Sequence, residues 1–301
     1  MGHWPIESSN LSLSAIYRNW AGHQALTRRP FWVQPQTGRK IKLATLAGRG
    51  VVTGRSGSGS DSLDRTVRRW AGWFGVGGFV VFLAALPLYF IGIGPAAPLE
   101  GTAQYSGLIT RTNTFILIRT AVADPLIMIG LLVFMAGFRH VVRRAREDYE
   151  WVAALFFGVG LVVIAVELVA DGLQAGAALD TVVKSDPTAV RALNEGSFPM
   201  YGAIGLIISA LMLASAGYAI LGTGVVPRWT GWFACAAAFL NLAAAPSILG
   251  GTDITGFYTA SGYTPFVGQA AMLIWFFVAS VSMIVKRQAP APTPFGATTN
   301  A

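Results

Sequence analysis

The chain has 301 residues, a formal net charge of +8, 53% hydrophobic residues and only 12% charged residues, about half the charged share of a soluble protein. That balance excludes a disordered chain and argues against a soluble globule, and the mean hydropathy of +0.55 agrees. The lone cysteine, Cys235, excludes an intramolecular disulfide framework and a multi-cysteine metal site.

The basic excess is concentrated at the N-terminal end. Residues 1–69 carry eleven Lys/Arg against three Asp/Glu, while the remaining 232 residues balance at eleven of each sign. Residues 1–66 read as a basic, disordered cytoplasmic arm. They lack a sustained apolar period and contain Arg28-Arg29-Pro30 and a Gly57-Ser58-Gly59-Ser60 run typical of linkers. No signal-peptide stretch is present. Gly48 to Ser56 fails as a phosphate loop, because Arg55 stands where lysine is required and the spacing is wrong. An alternative start near Val51 or Val52 is also open. Arg outnumbers Lys 18 to 4, as in a GC-rich genome where valine codons often initiate.

The body, 67–287, contains six stretches near the ~20 residues that a bilayer core requires. They are 70–94, 115–138, 151–170, 201–222, 231–249 and 266–285. None has the polar face of a soluble surface helix, and the runs do not alternate as barrel strands do. The predicted fold is therefore all-α: a polytopic membrane helical bundle of six transmembrane helices in the lipid bilayer. Lys/Arg counts set its orientation. With the N-terminus inside, eighteen fall on the inner side, including Arg139, Arg143, Arg144, Arg146 and Arg228, and three fall outside at Arg111, Lys184 and Arg191. Both termini are then cytoplasmic in a multi-pass plasma-membrane protein. Trp70, Trp73, Trp151, Trp229 and Trp232 lie at the inner boundaries, where indoles belong. The basic inner face suits anionic lipid; no specific nucleic-acid partner is expected. In the longest outer connection, Asp186-Pro187 caps a short helix that Gly196 ends, expected to lie on the outer surface as a lid or plug. Residues 288–301 read as an unfolded tail.

Residues 69–92 and 228–251 align without gaps at ten of 24 positions. Arg69-Trp70-x-Gly72-Trp73-Phe74 matches Arg228-Trp229-x-Gly231-Trp232-Phe233, and Pro87 matches Pro246. This suggests a parallel repeat. Proline frees a carbonyl in a spanning helix, so Pro87 and Pro246, with Pro125 in span two, are candidate kinks. Two helices kinked at one depth would frame a cavity on the outer side. Gly158/Gly160, Gly205/Ser209 and Ala234/Ala238 are small-residue contacts between helices.

Charges within spans cost at least ~2.5–3.5 kcal/mol each near the centre and are candidate functional groups. Span two carries Arg119 and Asp124; span three carries Glu167 and ends at Asp171. Helical rise puts Arg119 and Glu167 at similar depth, ~11 and ~9 Å out from the midplane, so they are expected to pair. Glu167 and Asp171, four apart, share a face at the outer mouth. Asp124 is deepest. It lies five residues from Arg119, an α-helical offset of ~140° that disfavours pairing. Otherwise it stays neutral as a proton or cation site beside Pro125, with Asn241 of span five as a possible partner. His3, His23 and His140 do not face one another for a haem, no zinc pattern or Gly-x-Ser-x-Gly elbow occurs, and no second deep acid supports a protease. No catalytic constellation, cofactor or metal is expected.

The body, about 66–287, resembles a broad class of uncharacterised six-helix integral membrane proteins common in actinobacteria. The residues that carry this are Pro227-Arg228-Trp229-x-Gly231-Trp232, the Asp186-Pro187 outer helix and the basic loop after span two. The resemblance implies the six-span topology and no particular activity. Two readings of function follow: proton- or cation-linked small-solute permeation around Asp124, or a structural, partner-anchoring membrane protein.

Overall fold

The computed structural model describes residues 57–91, 102–183, 186–251, 256–260 and 262–285. Most of the arm, the tail after 285, Gly92, Lys184, Ser185, Lys286 and Arg287 lie outside the described residues. All the described residues belong to one compact unit, Arg55–Ala301. They form α1 (Gly57–Ile91), α2 (Thr102–Ile118), a π-helical turn (Arg119–Ala123), α3 (Asp124–Ala145), α4 (Glu150–Val183), α5 (Pro187–Pro199), a second π turn (Met200–Ile204), α6 (Gly205–Thr223), α7 (Arg228–Ala244), a 3-10 turn (Ala245–Gly250) and α8 (Tyr263–Val285). A 3-10 turn, Glu147–Tyr149, links α3 to α4. Six of the helical stretches are long and apolar enough to cross a membrane. This matches the expected all-α bundle and is compatible with an integral membrane protein.

The six spans form a closed ring. Each packs on its neighbour in chain order, α1 on α3, α3 on α4, α4 on α6, α6 on α7 and α7 on α8, and α8 closes back onto α1. Short connections at the end bearing Arg139–Arg146 and Arg228, here called the basic end, enforce this order. Gly224 closes α6 in the left-handed region at φ 63°, its N–H reaching the Ile220 carbonyl at 2.7 Å. Pro227 then opens α7. Arg139 bonds Glu150 at 2.7 Å, and Asp64 bonds His140 at 2.8 Å and lies 3.5 Å from Arg144. His140 is thus tied to α1. All five tryptophans expected at this boundary are more than half exposed.

Rings fill the centre of the bundle toward the basic end. Phe134 stacks on Phe138 at 6.0 Å and meets Phe276 edge-on at 5.3 Å, and Phe138 meets Phe156 at 5.0 Å. Trp275 of α8, fully buried, donates from Nε1 to the Thr230 carbonyl of the neighbouring α7 at 2.9 Å. These large side chains make this half of the ring a packed core.

Several boundaries differ from expectation. The Gly57–Ser60 run belongs to α1, because a helix already nucleated by packing propagates at little cost. Span three does not stop at Asp171; α4 runs 34 residues to Val183, ~51 Å at the helical rise and ~20 Å more than the hydrocarbon core. With α2 and α5 it builds a collar around Ile109, Ile116, Ala177, Ala178 and Val190. The helix at Pro187 starts as expected, with Asp186 accepting from the Thr188 N–H at 2.9 Å. It does not end at Gly196, which lacks the positive φ of a helix stop; it continues through Pro199 into α6, so it buttresses α4 rather than forming a separate lid.

Gly72 and Gly231, equivalent in the shared motif, both face the helix preceding them in the ring, α8 and α6. The prolines do not match: α1 passes through Pro87 to Ile91, whereas α7 becomes a 3-10 turn at Pro246.

Gly78 and Gly130 make the tightest backbone approach of α1 and α3. A Cβ at Gly130 would lie 2.8 Å from the Phe74 carbonyl oxygen and 3.0 Å from the Gly78 Cα, and backbone cannot move aside. A Cβ at Gly158 meets nothing within 4 Å. Gly130→Val should therefore destabilise the bundle by about 1–3 kcal/mol, read as a lower SDS-unfolding midpoint in mixed micelles, and Gly158→Ala should leave that midpoint unchanged.

Candidate functional site

Away from the basic end, the ring encloses a partly open cavity of about 180 Å³. Its floor is apolar, formed by Ile127, Met128, Leu131, Val163, Met272 and Leu273, and the ring cluster closes it below. Its walls carry four buried charged side chains: Arg119, Asp124, Glu167 and Asp171, each no more than 7% exposed. All four were legible as intramembrane candidates, and the structure brings them together.

Their pairing differs from expectation, and the cause is backbone geometry. Pro125 has no N–H, and its ring crowds the carbonyl four residues back. The turn before it widens to the π form, with the Asp124 N–H donating to the Arg119 carbonyl. A hydrogen bond between residues five apart brings i and i+5 onto one face. Arg119 Nε consequently lies 3.6 Å from Asp124 Oδ2. The ~140° offset of an α-helix does not apply here, so Arg119 pairs with Asp124 and not with Glu167. Pro125 acts through this π turn, which makes it the most consequential of the three candidate kink prolines.

Side chains without formal charge complete the cluster. Arg119 Nη2 donates to Gln174 Oε1, and its guanidinium stands over the rings of Tyr89 at 4.9 Å and Tyr201 at 5.9 Å. Tyr89 donates to Asp124 Oδ1 and Tyr201 to Asp171 Oδ1. Gln269 Nε2 donates to Glu167 Oε1 at 2.8 Å and to the Tyr201 carbonyl at 3.3 Å. Gln174 is held from the collar, its Nε2 donating to Ser197 Oγ at 2.9 Å. Asp171 Oδ2 receives no donor. Tyr89, Gln174, Tyr201 and Gln269 carry no formal charge, and among uncharged side chains the sequence reading singles out Asn241 instead. Polar side chains of any kind in apolar runs would have pointed to them.

The second π turn serves the same site. Gly205 N–H reaches the Met200 carbonyl, and Gly202 leaves helical geometry at φ −85°, ψ −114°. This presents Tyr201 to the cavity. A Cβ on Gly205 would run into the Met200 carbonyl and lie 3.4 Å from Glu167 Oε1. Asn241 is not part of the site. It is fully buried and donates to the carbonyls of Ala237 at 2.8 Å and Gly268 at 2.9 Å, joining α7 to α8 rather than reaching Asp124. Helix α7 contributes nothing to the cavity lining, so the expected cavity between two proline-kinked repeat helices is replaced by one formed by α1, the first π turn, α3, α4, the end of α5 at Phe198, the second π turn, Ala260, Gly262 and α8.

Among the described residues no group of three His, Cys, Asp or Glu is placed to hold a metal ion. Comparison of the chain with protein families, curated proteins and solved structures found no match.

Removing one member of a buried pair strands the other. Arg119→Met should destabilise the protein by about 3–5 kcal/mol, whereas Arg119→Met combined with Asp124→Leu should recover most of that loss. SDS unfolding of the single and double variants measures the coupling, and additive losses would contradict the pairing.

Proposed function

We propose that the chain is a multi-pass protein of the plasma membrane that binds a proton or small cation in this cavity, as part of proton- or cation-linked permeation of a small solute. One observation carries the reading: among the described residues, three buried carboxyl groups and a single guanidinium line one cavity. Charge balance in so apolar a site calls for protons or a cation. Tyr89 and Tyr201 give Asp124 and Asp171 hydroxyl donors, which add no charge to the site. The aromatic packing beneath makes the described state closed toward the basic end, so passage of a solute requires those rings to separate. The structural-anchor alternative expects a dry, closed bundle, and the cavity at Asp124 favours the first reading.

The Lys/Arg asymmetry supports placing the basic end, and with it both termini, in the cytoplasm. Anionic lipid headgroups then meet Arg143 and Arg144, which are exposed there.

Hydrophobic carbodiimide, which modifies protonated carboxyls, should label Asp124 or Asp171 in native membranes, with labelling falling as pH rises. Proteoliposomes of the wild type should carry proton flux that Asp124→Asn abolishes. No labelling at any pH, together with flux indifferent to Asp124→Asn, would remove the proton site. Orientation is checked by replacing Cys235 with serine and adding single cysteines. A cysteine at the exposed Leu249 should react with an impermeant thiol reagent in intact cells, and one at Asp148 only in inverted vesicles.

A further inference from the structure

Resting on the cation-site reading above, we propose that the cavity takes a small amphipathic organic ammonium ion, its charged head between Glu167 and Asp171 and its apolar body on the floor of the cavity, and that the ion exchanges for a proton.

The argument starts from which charges are already matched. Arg119 is committed to Asp124, Gln174 and the faces of Tyr89 and Tyr201. Glu167 receives a neutral amide from Gln269 and Asp171 a neutral hydroxyl from Tyr201. These two acids lie four apart on α4, one turn from each other, and both line the cavity. Asp171 is 3% exposed, and its Oδ2 has no donor. An unmatched acceptor of this kind is expensive to bury, and a ligand that donates hydrogen bonds and carries positive charge satisfies it.

The rest of the cavity selects among cations. A bare metal ion needs several convergent oxygen ligands, and among the described residues no group of three His, Cys, Asp or Glu is placed to hold one. The apolar floor and the rings of Phe82, Phe198 and Phe266 suit a hydrocarbon body instead. The volume, about 180 Å³, limits that body to a small alkyl or single-ring group.

Exchange follows from charge conservation. The acids are faced by Tyr89 from α1, Arg119 from the first π turn, Asp124 from α3, Gln174 from α4, Tyr201 from the second π turn and Gln269 from α8, so among the described lining residues Arg119 is the sole cation. An ammonium ion that arrives with its charge takes the place of a proton held among the carboxyls. One positive charge enters and one leaves, and no bond other than the carboxyl O–H is broken.

The test uses the full chain in detergent with benzylammonium and its uncharged analogue, benzyl alcohol, as probes, and titration calorimetry with a pH indicator as readout. Benzylammonium should bind and release about one proton, and benzyl alcohol should bind at least about 30-fold more weakly. Glu167→Gln retains an oxygen for Gln269 and should weaken benzylammonium by a similar factor while leaving the alcohol unchanged. Equal affinity for the two probes would mean a merely apolar cavity and would overturn the inference. So would ammonium binding that is indifferent to both Glu167→Gln and Asp171→Asn, or binding without proton release. If Asp124-dependent proton flux persists while benzylammonium does not bind, this inference fails and the proton site stands; if both are absent, both fail.

Discussion

The Arg119–Asp124 pair is the constraint around which the cavity half of the molecule is arranged. A guanidinium in an apolar bundle is tolerable only with its charge matched. An α-helix would turn Asp124 away from Arg119; the π turn imposed before Pro125 brings it back. One proline therefore decides which acid neutralises the arginine. Because Asp124 is taken, Glu167 and Asp171 are left facing the cavity with only neutral donors from the protein. The excess acidity of the site is a consequence of a backbone defect on another helix.

The closed ring of spans supplies the setting. Six antiparallel helices in a ring leave a central space that side chains must fill. Toward the basic end it is filled by Phe134, Phe138, Phe156, Trp275 and Phe276. Toward the other end the space narrows less, and polar groups line it. The collar built by α2, α5 and the extension of α4 is more than a projection: through Ser197 it fixes Gln174, and through Gln174 it holds Arg119. The collar is thus connected to the buried charge by two hydrogen bonds, and a displacement of α5 would reach the cavity directly.

Both π turns present a cavity residue: Asp124 and Arg119 at the first, Tyr201 at the second. Each adjoins a proline, Pro125 or Pro199. Such turns hold one more residue than the surrounding helix and are frequent where a helix must aim a side chain. In this chain they convert two ordinary spans into the polar wall of the site.

The sequence alone determined that the chain forms six helices long and apolar enough to cross a membrane, because runs of about twenty apolar residues in lipid leave the backbone no other way to satisfy its hydrogen bonds. It also singled out Arg119, Asp124, Glu167 and Asp171, since charge in such runs is rare enough to be conspicuous. The partners of these residues were not legible. Pairing by equal depth favoured Arg119 with Glu167, and regular α-helical angles argued against Asp124; both inferences assumed an unbroken helix. Asn241 looked like a site residue by depth but faces α8 instead. Tyr89, Gln174, Tyr201 and Gln269 come from four separate segments and meet only when α8 closes the ring on α1. Local composition records what a residue costs to bury, and that is read one helix at a time. Who compensates that cost is decided by the azimuth of each helix and the order of the ring, which depend on contacts between segments far apart in the chain.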